Sequence, residues 1–316
     1  MKTNRNYEHF VAPVEETPLL ATDAVKVDDA PLSLWADAWR KLRRRPLFII
    51  SAVMIALIIV VALFPGLFTQ VAPDNGCVLS NSNGAPTEGH PLGFTFQGCD
   101  IYSRIIHGTQ ASLMVGVFSV ISVLIIGVTL GALAGFFGGW VDTVIARLGD
   151  IFFALPIVLG ALVLTQLPLM RENRGVGTVV LVLVVLGWPQ MARITRGAVI
   201  EVRNADFVTA ARSLGVSRLG SLVSHVLPNA LAPIIVLATM ELGVFIVAEA
   251  TLSFLGIGMP GSVMSWGNDI SAAQASIRTN PAVLLYPATA LSITVLSFIM
   301  LGDALRDALD PKSRQR

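Results

Sequence analysis

The chain has 316 residues, of which 54% are hydrophobic and only 14% are charged, and its mean hydropathy is +0.71. Soluble domains carry about 25% charged residues, so this excess of apolar surface predicts a protein that lies in lipid. Lysine occurs only at Lys2, Lys26, Lys41 and Lys312, which excludes a Walker A nucleotide-binding loop because that loop needs a Lys beside its glycines.

The N-terminal region changes character near residue 31. Residues 1–30 are polar and rich in Pro, Asp, Glu and Thr, which predicts a disordered tail. Over 31–46, apolar residues recur at helical spacing beside a basic run; they are Leu32, Trp35, Trp39 and Leu42. With Ser33 as its N-cap, this pattern predicts an amphipathic helix whose Trp face lies among lipid headgroups. A helix that binds a soluble partner is the alternative.

Six apolar segments follow, each close to the roughly 20 residues that cross a bilayer as a helix. The predicted spans are Leu47–Phe64, Ser112–Phe137, Ile151–Met170, Val176–Ala192, Leu231–Leu252 and Ala282–Leu301. In the fourth, Trp188 and Pro189 interrupt the end. Beyond the last span, residues 313–316 form a short tail.

The placement of Lys and Arg predicts the orientation of these spans. With the N-terminus inside, the inner segments hold 18 of the 22 basic residues, and the outer segments hold Arg104, Arg171, Arg174 and Arg278. Cytoplasmic connections carry the excess of positive charge. Both termini are therefore expected in the cytoplasm.

Four glycines follow one another at every fourth position of the second span and just beyond it. They are Gly127, Gly131, Gly135 and Gly139. Such a ridge lets another helix approach closely in lipid. The approaching helix could belong to this chain or to another subunit.

The first outer connection, about residues 65–111, contains the two cysteines of the chain. Cys77 and Cys99 are too few and too far apart for a zinc or iron–sulfur site. On the oxidising side of a membrane they are expected to form a disulfide, worth about 3 kcal/mol in the chain-entropy model.

The inner connection of residues 193–230 predicts two short helices at the membrane surface. Asn204 or Asp206 can cap the first helix, and Gly215 can end it by taking the left-handed conformation. Ser217 can cap the second helix, which runs to Pro228. We expect Gly215 to set the angle between them; an ordinary helix stop is the alternative.

The order of residues in this connection resembles the "EAA" loop of the permeases of binding-protein-dependent ABC importers. That loop reads Glu-Ala-Ala, three residues, Gly, nine residues, Ile, one residue, Leu-Pro. The matching positions are Ala210, Ala211, Gly215, Leu227 and Pro228. Thr209 replaces the Glu and His225 replaces the Ile, as is typical of the peptide branch.

Further stretches resemble the same branch, which carries dipeptides and oligopeptides and also includes nickel importers. They are HPLGFTFQGCDIYSRIIHGTQASLMVG, FFGGWVD, DIFFALP, AEATLSFLGIG and GDALRDALDP. The resemblance covers roughly residues 30–312 and is to the second, C-type permease subunit. It implies an all-α membrane protein with six transmembrane helices and the type I ABC importer fold.

The resemblance also implies partners and cofactors. A homologous second permease, two ATPase subunits or domains, and an extracytoplasmic peptide-binding protein would complete the importer in a prokaryotic cytoplasmic membrane. ATP and magnesium would bind the ATPases, so this chain would need no cofactor and would perform no catalysis. The residues expected to couple it to an ATPase are Phe207, Thr209, Ala210, Ala211, Leu214, Gly215, Leu227 and Pro228.

Two carboxylates, Glu241 and Glu249, lie within or near the fifth span. A charge inside a bilayer is costly unless it faces a cavity or a partner. We expect these residues to line the translocation path and to contact the amine of a peptide; alternatively, Glu249 lies at the outer interface and binds neighbouring backbone.

Other classes of function fit the sequence less well. Secondary transporters often contain internal repeats, and the sequence shows none. The spans also lack the motifs of serine hydrolases and zinc proteases. The histidines, His9, His90, His107 and His225, show no metal-ligand spacing. A purely structural subunit is the remaining rival, and co-purification with ATPase subunits would separate it from a permease.

Overall fold

A computed structural model describes residues 34–74 and 76–309. Within these ranges the chain is helical and has no strand, only two isolated bridges. The helices are α1 Leu34–Leu42, α2 Pro46–Leu63, α3 Ile101–Phe137, α4 Gly139–Phe153, α5 Ile157–Thr165, α6 Pro168–Glu172, α7 Val176–Arg203, α8 Asp206–Ser213, α9 Arg218–Ser221, α10 Leu227–Asn229, α11 Leu231–Phe254, α12 Trp266–Ala272 and α13 Ala282–Leu309. The tails predicted at 1–30 and 313–316, and the cap predicted at Ser33, lie outside the described residues.

Among the described residues, five helices are long and apolar enough to cross a membrane: α2, α3, α7, α11 and α13. The pair α4 and α5 makes a sixth span if it is counted as one, but it bends by 89°. The third span predicted over Ile151–Met170 is therefore not a single helix, and the corresponding bent pair begins earlier, at Gly139, and ends at Thr165. Pro156 explains the break, because it has no N–H and disfavours a helical conformation at the preceding Leu155.

Two helices extend beyond the spans predicted within them. The helix that contains the second span begins at Ile101, ahead of Ser112, because the Asp100 side chain accepts a hydrogen bond from the backbone N–H of Ser103 and caps the helix there. The helix that contains the fourth span, α7, is not interrupted at Pro189 and continues past Ala192 to Arg203. Buried residues on both sides of this proline hold the helix in the core, which offsets the hydrogen bond that proline removes.

The glycine ridge of α3 packs against α7 of the same chain, in the most extensive helix contact of the fold. A Cβ atom added at Gly127 would lie 2.6 Å from the Cβ of Met191, and one added at Gly135 would lie 2.8 Å from the carbonyl oxygen of Arg196. Around Gly139, by contrast, no described atom lies within 4 Å of an added Cβ. Gly127, Gly131 and Gly135 therefore serve packing within the chain.

The remaining long helices surround this pair. Helix α11 packs against α3, α7 and α13, and α2 packs against α13 and α3. Most of α2 remains exposed, as expected for a helix facing lipid or another subunit. Residues 204–230, which contain the short helices α8, α9 and α10, form what we call the hairpin, and the end of the bundle that carries them is the hairpin end. The end that carries Cys77 and Cys99 is the disulfide end.

The predicted amphipathic helix spans only Leu34–Leu42 in the described residues. Its Ala38 and Leu42 are buried against Ala304 and Ala308 of α13. Trp39 stays 58% exposed. Leu42, which was predicted on the face among lipid headgroups, instead packs on the bundle, whereas Trp39 remains exposed.

We predict that Gly131→Val destabilises the chain by about 1–3 kcal/mol. An added Cβ at this position would lie 2.8 Å from the Cβ of Thr195 and would also strike the Ala192 carbonyl oxygen of α7. Because that oxygen belongs to the backbone, it cannot move aside as a side chain can. Thermal unfolding of the purified full chain in detergent measures the effect.

Gly197→Ala is the matched control, because no described atom lies within 4 Å of a Cβ added there. It should leave the melting temperature unchanged or raise it slightly. Equal melting temperatures for Gly131→Val and the parent chain would contradict the packing assigned to the ridge.

Candidate functional site

The first helix of the hairpin, α8, begins without a side-chain cap. Its N-cap residue is Ala205, and Asp206 is already the first helical residue. The prediction that Asn204 or Asp206 caps this helix is wrong, because Asn204 instead terminates α7. Asp206 still lies in the first turn, where its negative charge suits the positive end of the helix dipole.

Gly215 ends α8 in the left-handed conformation, with φ +94°. The Gly215 N–H donates to the Arg212 carbonyl oxygen at 3.0 Å, and the Val216 N–H donates to the Ala211 carbonyl oxygen at 3.2 Å. These two bonds form a Schellman motif, which a glycine at this position favours. The predicted end of the first helix at a left-handed Gly215 is confirmed.

The second arm of the hairpin starts as predicted and then departs from an α-helix. The Ser217 hydroxyl accepts a hydrogen bond from the Gly220 N–H at 3.1 Å, so Ser217 caps α9. A π-helical turn at Leu222–Val226 follows, before α10. Pro228 accounts for this widening, because a proline cannot donate to the carbonyl four residues earlier and its ring clashes with it.

The inner side of the hairpin is fixed to the ends of the long helices. Val208, Leu222 and Val226 are buried in one apolar cluster with Ala132 of α3 and Val199 of α7. Side chains packed this closely resist relative displacement of the elements that carry them. The hairpin and the ends of α3 and α7 are therefore one packed unit.

The outer side of the hairpin is apolar and open. Leu214 is 87% exposed and Phe207 is 48% exposed, and both lie on the same side of α8 as exposed Ala210. Of the other residues predicted to couple, Thr209, Gly215 and Pro228 are exposed and Ala211 and Leu227 are half-buried. This surface, with Leu219 and Val223 from the second arm, has the chemistry of a protein contact.

Two arginines that the sequence did not single out attach the end of α7 to its neighbours. Arg196 donates to both carboxylate oxygens of Asp142 on α4. Arg203 donates to the Gly135 carbonyl oxygen at the end of α3. These partners lie 54 and 68 residues away in the chain, so no local sequence pattern indicates them.

Glu249 is fully buried and joins three segments. It accepts hydrogen bonds from the hydroxyls of Ser112 on α3, Ser253 on α11 and Ser265 just before α12, at 3.2, 2.8 and 3.1 Å. Ser253, one turn further along the same helix face, is the one partner that spacing could have indicated. A carboxylate with three donors is well satisfied away from water.

Glu241 differs from Glu249. It is 4% exposed, and its Oε2 atom has no hydrogen-bond partner within the described part of the chain. It lies on α11 between Ala238 and Phe245, at helical spacing from both, and these two residues belong to the main core formed with α3 and α7. The two glutamates thus occupy different surroundings and are not brought together in one site.

The disulfide end closes over a cavity. Cys77 and Cys99 are joined by a disulfide, with their Cα atoms 4.3 Å apart. The nearby cavity, of about 450 Å³, lies between this loop, the segment after α11, and α12. Its wall includes Arg104, which donates twice to Asp269, at 2.8 and 2.5 Å. Burial raises the pKa of Asp269, and the charge of Arg104 opposes that shift.

Comparison with known proteins supports the resemblance to ABC importer permeases over most of the chain. Residues 127–315 match the family described as binding-protein-dependent transport system inner membrane component, and residues 33–86 match the N-terminal transmembrane domain of oligopeptide transport permease C. The chain belongs to this permease family.

The relatives of the permease are similar along nearly their whole length. The oligopeptide transport system permease protein OppC of Bacillus subtilis is 36% identical over 93% of this chain and 95% of its own. The glutathione transport system permease protein GsiD of Pectobacterium atrosepticum is 34% identical over 93% and 96%. The dipeptide transport system permease protein DppC of Alkalihalophilus pseudofirmus is 35% identical over 90% and 91%.

Among solved structures, the fold is similar to a chain of the MetNI methionine ABC transporter in an inward-facing conformation. The TM-score is 0.54 at 20% identity, over 66% of this permease and 96% of that chain. This similarity confirms the predicted fold class of an ABC importer permease. The permease is thus a multi-pass inner membrane protein of an ABC importer.

We predict that Glu249→Ala lowers the stability of the permease by roughly 1–3 kcal/mol, because it leaves the hydroxyls of Ser112, Ser253 and Ser265 without their shared acceptor. Glu249→Gln keeps one acceptor oxygen and should therefore lose less stability than Glu249→Ala. Thermal unfolding of the full chain measures both.

Glu241→Gln is the comparison at the other carboxylate. It removes a carboxylate whose Oε2 has no partner among the described residues, so the melting temperature should stay equal or rise. A larger loss from Glu241→Gln than from Glu249→Ala would contradict the surroundings assigned to the two residues.

Proposed function

We propose that this permease carries dipeptides or oligopeptides across the membrane and that its hairpin couples that movement to ATP hydrolysis by other subunits. The relatives named for oligopeptide, dipeptide and glutathione transport support a short peptide as the substrate. The observation that carries the coupling role is the exposed apolar side of α8, with Phe207 and Leu214, opposite a side buried against α3 and α7.

The proposed assembly contains a homologous second permease, two ATPase subunits or domains and an extracytoplasmic peptide-binding protein. ATP and magnesium bind the ATPases, and this chain holds no nucleotide site of its own. Membership of an importer family supports several components, and the lack of Lys in the sequence between Lys41 and Lys312 argues against a Walker A loop here.

The proposed orientation places the hairpin end in the cytoplasm. Arg193, Arg196, Arg203, Arg212 and Arg218 cluster at that end, in keeping with the excess of positive charge in cytoplasmic connections. The disulfide then lies outside, in the compartment where disulfides persist. The exposed hairpin surface consequently faces the side on which ATP is available.

The proposed mechanism follows from how the hairpin is attached. Closure of the ATPases upon ATP binding pulls on α8, and the buried cluster around Val208 passes this displacement to α3 and α7. Because α7 is one helix from Val176 to Arg203, a shift at the hairpin reaches the opposite end of the bundle. Rigid-body motion of packed helices then alternates the side to which the path opens.

Within this scheme Glu241 is our first candidate for a residue of the translocation path. It is a buried carboxylate whose Oε2 has no partner in residues 34–74 and 76–309, so the amine of a peptide would satisfy it. Glu249 remains a weaker candidate because its carboxylate already binds three serines.

We predict that Gly215→Val uncouples the importer. Valine at φ +94° is strained by about 1–2 kcal/mol, and no described atom lies within 4 Å of the added Cβ, so the effect comes from the backbone alone. Peptide uptake per ATP hydrolysed in proteoliposomes should fall several-fold while the complex still assembles.

Gly215→Asn is the matched control, because Asn adopts the left-handed conformation more readily than Val. It should keep most of the coupling. If Gly215→Val assembles normally and retains full uptake for each ATP hydrolysed, Gly215 is only a helix stop and the proposed lever is wrong.

We predict that Glu241→Gln lowers the uptake of peptides with a free amino terminus several-fold, because the amide cannot pair with the amine. N-acetylated peptides, which lack that charge, should be affected less. Uptake assays with matched peptide pairs measure the difference, and unchanged uptake of every peptide would remove Glu241 from the path.

A further inference from the structure

Three arginines meet at the hairpin end around a cleft that the coupling scheme does not use. Arg203 at the end of α7, Arg212 of α8 and Arg218 of α9 line it. The other lining residues are Phe136, Phe137 and Asn204. The cleft has a volume of about 260 Å³, several times the roughly 30 Å³ that one water molecule occupies in the liquid, so it has room for a small charged group.

The charge of this cleft is not balanced by the described part of the chain. No acidic side chain lines it, and neither Arg212 nor Arg218 forms an ion pair with any described residue. Arg203 binds backbone carbonyls. Asp142 lies close enough to interact with Arg203 electrostatically, but its two oxygens are already bound by Arg196. The cleft is therefore strongly positive.

Its position separates it from the exposed apolar side of the hairpin. Arg212 follows buried Val208 by one turn, so it lies on the side of α8 turned toward the bundle. Phe136 and Phe137 are the last residues of the long apolar helix α3, and Phe137 is 41% exposed. Guanidinium groups therefore lie in this cleft beside the end of a membrane span, at the level where headgroups meet hydrocarbon.

The geometry points to the phosphate group of an anionic phospholipid as the ligand. We propose that Arg203, Arg212 and Arg218 bind this phosphate while Phe137 contacts the acyl chain. Guanidinium groups suit phosphate oxygens because they can donate two parallel hydrogen bonds, and basic pockets between helices at the cytoplasmic side bind anionic headgroups. The lipid would hold the hairpin against the membrane, independently of which solute is carried.

The test uses the full chain in nanodiscs made from equal parts of phosphatidylglycerol and phosphatidylcholine. Lipid retained after gentle extraction is identified by native mass spectrometry. The parent chain should retain phosphatidylglycerol selectively, and Arg212→Gln/Arg218→Gln should weaken this retention roughly thirtyfold. Arg212→Lys/Arg218→Lys keeps the charge and should recover part of it, which separates loss of the site from loss of folding.

Arg171→Gln/Arg174→Gln is the matched control, since it removes the same charge from two exposed arginines outside the cleft. It should retain as much phosphatidylglycerol as the parent chain. Equal retention by Arg212→Gln/Arg218→Gln, or equal loss in the control, overturns the proposal.

Two further measurements distinguish a lipid phosphate from free phosphate and from a contact with another protein. Inorganic phosphate should displace the lipid no better than chloride at the same ionic strength; displacement by phosphate alone would mean a site for the free ion and would overturn the lipid assignment. If Arg212→Gln/Arg218→Gln retains lipid normally but no longer co-purifies with ATPase subunits, the cleft belongs to a protein interface and the proposal is wrong.

Discussion

The close approach of α3 to α7 is the constraint on which the rest of this permease depends. Lipid provides no hydrophobic drive between helices, so their association relies on contact distance and packing. Gly127, Gly131 and Gly135 leave three successive turns of α3 without a side chain toward α7, so the two backbones approach closely there. The cluster that holds the hairpin is built from the ends of these two helices, so its position is set by the glycines.

Packing and hydrogen bonds hold the hairpin to the ends of α3 and α7. Helix α7 passes Pro189 without a break and is tied near its end by Arg196 to Asp142 and by Arg203 to Gly135. The Schellman motif at Gly215 then reverses the chain with two backbone hydrogen bonds. In the proposed coupling role this arrangement would transmit displacement, because each of these joints is either packed or hydrogen-bonded.

The sequence predicted the parts of this structure that local chemistry determines. Apolar length indicated the spans, and Gly215 and Ser217 indicated the turn, because a left-handed glycine and a serine cap act within a few residues. It did not predict the 89° bend before Pro156 or the extension of α7 past Pro189. Both prolines disfavour a helix locally, and only tertiary packing decides which of them is overridden.

The same division applies to the buried charges. Glu241 and Glu249 are alike in the sequence, since both are acids with apolar neighbours in the one helix α11, and hydropathy cannot rank them. What separates them is supplied by distant segments: Ser112 and Ser265 lie 137 and 16 residues from Glu249, and with Ser253 they satisfy its carboxylate. At Glu249 a buried acid joins α3 and α11 to the segment that leads into α12, so its desolvation is offset inside the fold. At Glu241 the carboxylate oxygen Oε2 has no such partner among the described residues, so its desolvation is not offset there, and this difference is the reason to propose Glu241 before Glu249 for the translocation path.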